Sequence, residues 1–135
     1  MDYPLNQINA GHKGTLAEAL GIEITLARPG HMEATMPVDQ RTIQPMGLLH
    51  GGASVALAET LGSLGSFLLV KHENKAPVGL EINANHIKSA KKGLVKGVAT
   101  AIHQGRRTHI WHIEIKDEEQ NLICISRLTV MISDL

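Results

Sequence analysis

The chain is poor in aromatic residues: one Trp, one Tyr and one Phe make up 2% of 135 residues. Proteins that hold single-stranded nucleic acid without sequence preference stack bases on aromatic rings, so this composition argues against that class. It also leaves the core to Leu, Ile, Val, Ala and Met. Cysteine is scarce too. Cys124 stands alone, which excludes an intramolecular disulfide and suits a reducing compartment. Met1 to Lys13 lacks a basic start, an apolar centre and a small-residue cleavage site. No signal peptide is read there, and the cytoplasm is the expected location. Acidic residues are missing from Ile82 to Ile113.

Apolar residues make up 43% of the chain, enough for a real core. No repeat, low-complexity stretch or linker interrupts it, so residues 1–135 read as one domain. The formal net charge is zero. The acid-free stretch nevertheless gathers Lys88, Lys91, Lys92, Lys96, Arg106 and Arg107. A local anionic ligand fits that pattern better than a long polyanion.

Asn6 to Leu20 has the look of a short helix stopped by Gly21. Ile22, Ile24 and Leu26 alternate with Glu23, Thr25 and Ala27, the period of a strand. Arg28-Pro29-Gly30-His31 makes a turn, and Met32 to Val38 reads as the returning strand. Asp39 to Leu49 carries Pro45 and Gly47 without a clear period and reads as a loop. Gly51 to Val70 has helix length. Strands follow over Val78–Lys88, Leu94–His103, His109–Lys116 and Leu122–Ile132. The short turns between them favour antiparallel neighbours. The expected class is α+β, with one long helix filling the face of a curled antiparallel sheet.

The long helix is apolar enough to raise the question of a membrane span. Gly51, Gly52, Gly62 and Gly65 weaken its hydropathy, and Glu59 would sit near mid-bilayer. No aromatic belt flanks it. The expectation is a helix buried in a soluble domain, with no membrane partner.

Within Gly47 to Val70 only His50 and Glu59 can ionise. A buried carboxylate without a partner is costly, so its presence points either to function or to an ion pair with a distant residue such as Arg127. Ser63, four residues on, projects from the same helix face and could hold a water beside Glu59. Taken alone, it could equally be a small packing residue. Thr60 points about a quarter turn away. The helix start, Gln44-Pro45-Met46-Gly47-Leu48-Leu49-His50-Gly51-Gly52, offers free backbone N–H groups and the positive end of the helix dipole. Gly51 and Gly52 let a ligand carbonyl approach closely, which is the chemistry of an oxyanion site. Alone, the same motif is only a flexible entry, His50 a cap and Gln44 a loop amide. Gly51 and Glu59 are eight residues apart, about 12 Å along a helix. Both cannot touch one carbonyl from one helix. A shared site therefore requires two copies of the chain with their helices side by side.

The run from Gln44 to Glu59 resembles the signature of hotdog-fold thioesterases of the phenylacetic-acid-degradation type. Val78-Gly79-Leu80-Glu81-Ile82-Asn83-Ala84-Asn85-His86 is similar to the same group. So are Glu33-Ala34-Thr35-Met36-Pro37-Val38-Asp39 and Ser126-Arg127-Leu128-Thr129. The resemblance covers nearly all of the chain after about Gly21. It is closest to the branches that act on 1,4-dihydroxy-2-naphthoyl-CoA in menaquinone synthesis and in proofreading of the enterobactin pathway. It implies a hotdog fold and hydrolysis of an acyl-CoA thioester, an aromatic one, without a cofactor. Glu59 would be the catalytic carboxylate, as nucleophile or as general base on water. Gln44 and the Gly51 N–H would hold the thioester carbonyl, His50 would position groups, and Ser63 would sit near the attacking water. Gly79, the stretch His86-Ile87-Lys88-Ser89 and the stretch His103-Gln104-Gly105-Arg106-Arg107-Thr108 would contact CoA. Thr108 departs from relatives that carry His there. The implied assembly is a tetramer of two dimers with sites at the dimer interface. The basic turns around Lys88, Lys91, Lys92, Arg106 and Arg107 could then face the CoA phosphates, or be ordinary solvated charges.

Other signals are weaker. His109 and His112 are three apart on a strand and point to opposite faces, so no metal is expected. Ser54 lies outside any Gly-x-Ser-x-Gly elbow. Cys124 and Trp111 read as core. Two alternatives stand beside the thioesterase: a hydratase or dehydratase using His50 and Glu59 as its pair, and a non-catalytic acyl-CoA-binding protein.

Overall fold

Short turns set the strand order, and a computed structural model describing residues 1–135 shows where they lead. The elements are α1 (Leu5–Ala10), α2 (Leu16–Leu20), β1 (Glu23–Arg28), β2 (His31–Pro37), α3 (Gly51–Val70), β3 (Lys75–His86), β4 (Leu94–Gln104), β5 (Thr108–Lys116) and β6 (Leu122–Asp134). The six strands form one sheet in the order β1-β2-β4-β5-β6-β3. Every neighbouring pair is antiparallel. The class is α+β, a hotdog arrangement in which the sheet wraps one long helix.

β5 shows the two-sided character most clearly. His109, Trp111, Ile113 and Ile115 are buried, and the residues between them are not. The inward residues of β2 (Met32, Ala34, Met36), β4 (Val95, Ala99) and β6 (Leu128, Val130) join them against Leu57, Ala58, Leu61 and Leu68 of α3. Burying each large aliphatic contributes about 1.5–3 kcal/mol. The helix expected to be buried in a domain is thus the core helix. Its most apolar stretch has a mean hydropathy of 1.6 and is 56% buried inside the protein.

Three expected boundaries move. The single helix over Asn6–Leu20 is two helices. Gly14 adopts φ 77° between them, and Gly21, at φ 74°, ends the second in the left-handed conformation. In β1 the register slips between Ile24 and Leu26. The bulge flips the strand's phase, so Ala27 is buried in place of Leu26. β3 begins at Lys75 rather than Val78 and ends at His86. Pro77 is tolerated inside it because β3 is an edge strand, where a missing N–H breaks no ladder.

The loop between β2 and α3 folds tightly onto itself. His50 N–H donates to the Thr42 carbonyl (2.8 Å), Gln44 N–H to the Leu48 carbonyl (2.8 Å), and Ile43 bridges Leu49. Thr42 is buried, and its hydroxyl donates to the Pro37 carbonyl (2.7 Å). These bonds carry Gln44 to the start of α3.

Candidate active site

The start of α3 is capped by its own histidine. His50 Nδ1 accepts from the Gly52 N–H at 2.8 Å. A nitrogen that accepts carries no proton, so Nδ1 is bare and the neutral ring holds its proton on Nε2. The Gly52 and Ala53 N–H groups are spent on the cap, the latter on the His50 carbonyl at 3.0 Å. The Gly51 N–H donates to nothing within the chain. Gln44 behaves in a complementary way. Its Oε1 accepts from the Met46 N–H at 2.5 Å and the Leu48 N–H at 3.5 Å. That fixes the amide with its oxygen inward, and no acceptor in the chain takes its NH2. Two unspent donors therefore belong to the helix start.

His86 also belongs there. A Cβ on Gly51 would lie 2.9 Å from His86 Nε2. The side-chain-free position is thus required by the ring packed over it. His86, which the resemblance assigned to CoA contact, stands beside Gly51 in the fold.

Glu59 lies two turns along α3. A Cβ at Gly79 would overlap its Oε2, so the carboxylate rests on bare strand backbone. Gly79 stands where the β3 register shifts against β6, a bulge that brings the backbone close. Gly79 is therefore a neighbour of the carboxylate rather than only a CoA candidate. Glu59 makes no ion pair or hydrogen bond within the chain. Arg127 is exposed and does not meet it. Glu59 is partly buried rather than sunk in the core, because it lies on the outward side of α3. Ser63 is also partly buried and its hydroxyl has no partner in the chain.

The remaining expected contacts separate into two groups. Ile87, Lys88 and Ser89 follow β3 and lie with Lys91 and Lys92 beside Asp117, Glu118 and Glu119 of the β5–β6 turn. Lys88 is close enough to Asp117 to lower that carboxyl's pKa, behind the larger effect of hydrogen bonds from Asn121. His103, Gln104, Gly105, Arg106, Arg107 and Thr108 form the β4–β5 turn beside Lys75 and Asp134. Thr108 pairs with Met131, whereas Lys116 pairs with Leu122. The two basic turns thus occupy opposite ends of β5, about 25 Å apart at ~3.3 Å per residue. One chain does not bring them together. The spacing in sequence agrees, since the 11-residue strand β4 that separates the two turns sets them at its two ends.

His109 points inward and His112 outward. His109 Nδ1 lies 2.8 Å from Ser66 Oγ, which also accepts from Trp111 Nε1–H at 2.8 Å. Burial pushes the His109 pKa down, with the His103 charge adding to it and Glu73 opposing. His112 pairs with Glu114 at 2.9 Å. No group of three His, Cys, Asp or Glu is placed to hold a metal. Cys124 is buried, and burial pushes its thiol pKa up.

Free donors at a helix start, an unpartnered carboxylate further along the same helix and a hotdog sheet around it define the class: a hotdog hydrolase domain. The chain belongs to the Thioesterase superfamily, whose family profile matches residues 46–124. It is 51% identical over 128 residues to the 1,4-dihydroxy-2-naphthoyl-CoA hydrolase of Escherichia coli, covering 95% of this chain and 93% of that one. It is 48% identical to the proofreading thioesterase EntH of Cronobacter turicensis, with the same coverage. Two structures of a Staphylococcus aureus thioesterase superpose with TM-scores of 0.87 and 0.85 at 47% and 46% identity. They cover 89% and 87% of this chain and 99% and 98% of that one. One carries a Glu→Ala change and the other a Gln→Ala change, fifteen positions apart. The chain is a thioester hydrolase acting on substrates of the acyl-CoA type.

Proposed function

We propose that the protein hydrolyses an aromatic acyl-CoA thioester, with 1,4-dihydroxy-2-naphthoyl-CoA as the lead substrate. The observation that carries this reading is the contrast at the helix start. The Gly51 N–H and the Gln44 amide are unspent while their neighbours are satisfied, and Glu59 is unpartnered. Gln44 and Glu59 are fifteen residues apart, as are the Gln and Glu replaced in the S. aureus structures.

The carbonyl oxygen accepts from the Gly51 N–H and the Gln44 amide, which stabilise the charge that develops on it. Glu59 either attacks the carbonyl carbon, forming an anhydride that water opens, or takes a proton from the attacking water. Ser63 holds that water. Collapse of the tetrahedral intermediate breaks the C–S bond, and the departing CoA thiolate takes up a proton. His50 keeps the helix start in shape through its cap. A single turnover in labelled water separates the two routes.

The two halves of the site are about 12 Å apart on one helix, so the reading requires a dimer. β3 supplies a surface for it. This edge strand runs twelve residues with Val78 49% and Leu80 60% exposed, an apolar edge of the kind that pairs with another chain. Antiparallel pairing of two β3 strands reverses one α3 against the other and sets each helix start beside the partner's carboxylate. The separated basic turns fit the same logic. The Arg106–Arg107 turn of one subunit and the Ile87–Ser89 loop of another would hold the CoA phosphates, in a tetramer of two dimers. We place this enzyme in the cytoplasm.

The test mixes two inactive variants, Gln44→Ala and Glu59→Gln. In a shared site each mixed dimer regains one intact centre, so activity returns to about a quarter of wild type under random pairing. Mixtures that stay inactive, or a fully active monomer, overturn the shared site.

A further inference from the structure

His109 is a buried titratable group with no part in the proposed chemistry. It is the second residue of β5 and 4% exposed. One edge of its ring faces the core. Nδ1 meets Ser66 Oγ at 2.8 Å, and the same oxygen accepts from Trp111 Nε1–H at 2.8 Å. The other edge faces out. Nε2 has no hydrogen-bond partner in the chain and, unlike His12 Nδ1, is not sealed from water. The ring lines a cleft of about 280 Å³ beside the β4–β5 turn, together with Gln104, Arg106, Glu73 and Lys75.

Ser66 lets this ring take a proton without losing its inner contact. A hydroxyl both donates and accepts. With the ring neutral, Ser66 O–H donates to Nδ1, and Nε2 carries its proton into the cleft. With the ring protonated, Nδ1–H donates to Ser66 Oγ, and the hydroxyl proton turns to the carbonyl one helical turn back on α3. No heavy atom has to move. What resists the second proton is burial, then the His103 charge, while Glu73 favours it. β6 adds no charge here, since it brings only Val130 and Ile132 to the ring. An anion in the cleft would reverse the balance.

The turn is where an anion is expected. It is closed firmly: the Gly105 N–H donates to the Thr108 carbonyl at 2.9 Å, and a Cβ on Gly105 would lie 2.5 Å from His103 Nε2. Arg106 and His109 are three residues apart across it, at most about 10 Å of chain. Charges at that range interact, and a partly buried pair is poorly screened by salt.

We propose that His109 is a proton-linked positioning residue for CoA: a phosphate held at the β4–β5 turn draws a proton onto the ring, and the grip of the turn tightens as the pH falls. The inference rests on the thioesterase reading, which puts CoA phosphates at Arg106 and Arg107, and it adds a pH dependence to that same site.

The experiment is calorimetric titration of the protein with CoA in buffers of different ionisation heats, for wild type and for His109→Gln, which keeps a polar group against Ser66. The buffer dependence gives the protons taken up per bound CoA. Wild type should take up more than the variant below about pH 7. The ratio of their affinities should grow about tenfold between about pH 8 and 5. The 3′-phosphate of CoA titrates in the same window, but equally for both proteins, so the difference belongs to the ring. Equal proton uptake overturns the proposal. So does an affinity loss that is the same at every pH, which is what a purely structural role gives. His103→Gln controls for the neighbouring charge: uptake that vanishes without His103 and persists without His109 overturns the assignment. Should His109→Gln not fold, the His109 ring resonances of wild type answer the question. Their titration midpoint should move to higher pH at saturating CoA, and an unmoved midpoint refutes the link. Acyl-CoA hydrolysis is scored separately. Linked uptake without turnover sinks the thioesterase reading and leaves the proton link standing, and turnover without linked uptake does the reverse.

Discussion

The two sides of α3 are made of nearly the same residues and do opposite things. The inward side (Leu57, Ala58, Leu61, Gly62, Gly65, Ser66) is sealed against the sheet. The outward side (Ala56, Glu59, Thr60, Ser63, Phe67) is open or half-open. On the inward side the Ser66 hydroxyl is held between His109 and Trp111. On the outward side Glu59 and Ser63 are unanswered. One helix thus carries packing on one face and the proposed chemistry on the other. An unpartnered carboxylate, rather than apolar surface, sets the outward face apart.

The comparison breaks most sharply at Glu59. Glu59→Gln should lower kcat about 10²–10⁴-fold, as expected for loss of a catalytic base, while thermal unfolding stays within a degree or two. A variant with normal turnover would move the chemistry elsewhere. The mirror case is Trp111→Ala, which empties the space against the inward face. It should cost about 3–5 kcal/mol in denaturant unfolding. Next comes Gly65→Ala. A Cβ there would meet the Trp111 ring at 2.5 and 2.7 Å. Overpacking costs of about 1–3 kcal/mol should outweigh the roughly 1 kcal/mol that Ala gains over Gly in a helix. His50→Ala removes the cap and should cost about 1 kcal/mol, read by the same unfolding curves, with a further loss of activity if the helix start frays.

The smallest effect is on pH. The pKa values of His109 and His12 are lowered in the folded state by burial. A depressed histidine binds fewer protons folded than unfolded. Its contribution is present above the unfolded value near 6.5 and is lost as pH falls below it. Stability should therefore decline between about pH 7 and 5. His109→Gln should flatten that decline, and an unchanged slope would remove His109 as its source.

Sequence reading found the class, the long helix and Glu59 because these are local. Periodicity writes the strands, and one ionisable group in twenty apolar positions is conspicuous in any context. Gln44, Gly51 and Ser63 were legible as candidates for the same reason. The reading erred where pairing decided. The bulge in β1 turned Leu26 outward, Gly14 split the first helix, and Glu59 came out half-open instead of buried. Where His86 and Gly79 stand was also beyond the sequence: the fold puts His86 beside Gly51 and Gly79 beside Glu59. His12 drew no notice, because a lone histidine near a glycine has no signature.

The sequence by itself determined that an apolar helix with one carboxylate would sit in a curled antiparallel sheet, since the hydrophobic pattern allows little else. Only the tertiary structure decided which donors are spent and which are free. It also decided that His86 stands against Gly51 and Gly79 against Glu59. Those properties depend on strand register and on which atoms meet across the fold, and register is a non-local choice that no window of the chain contains.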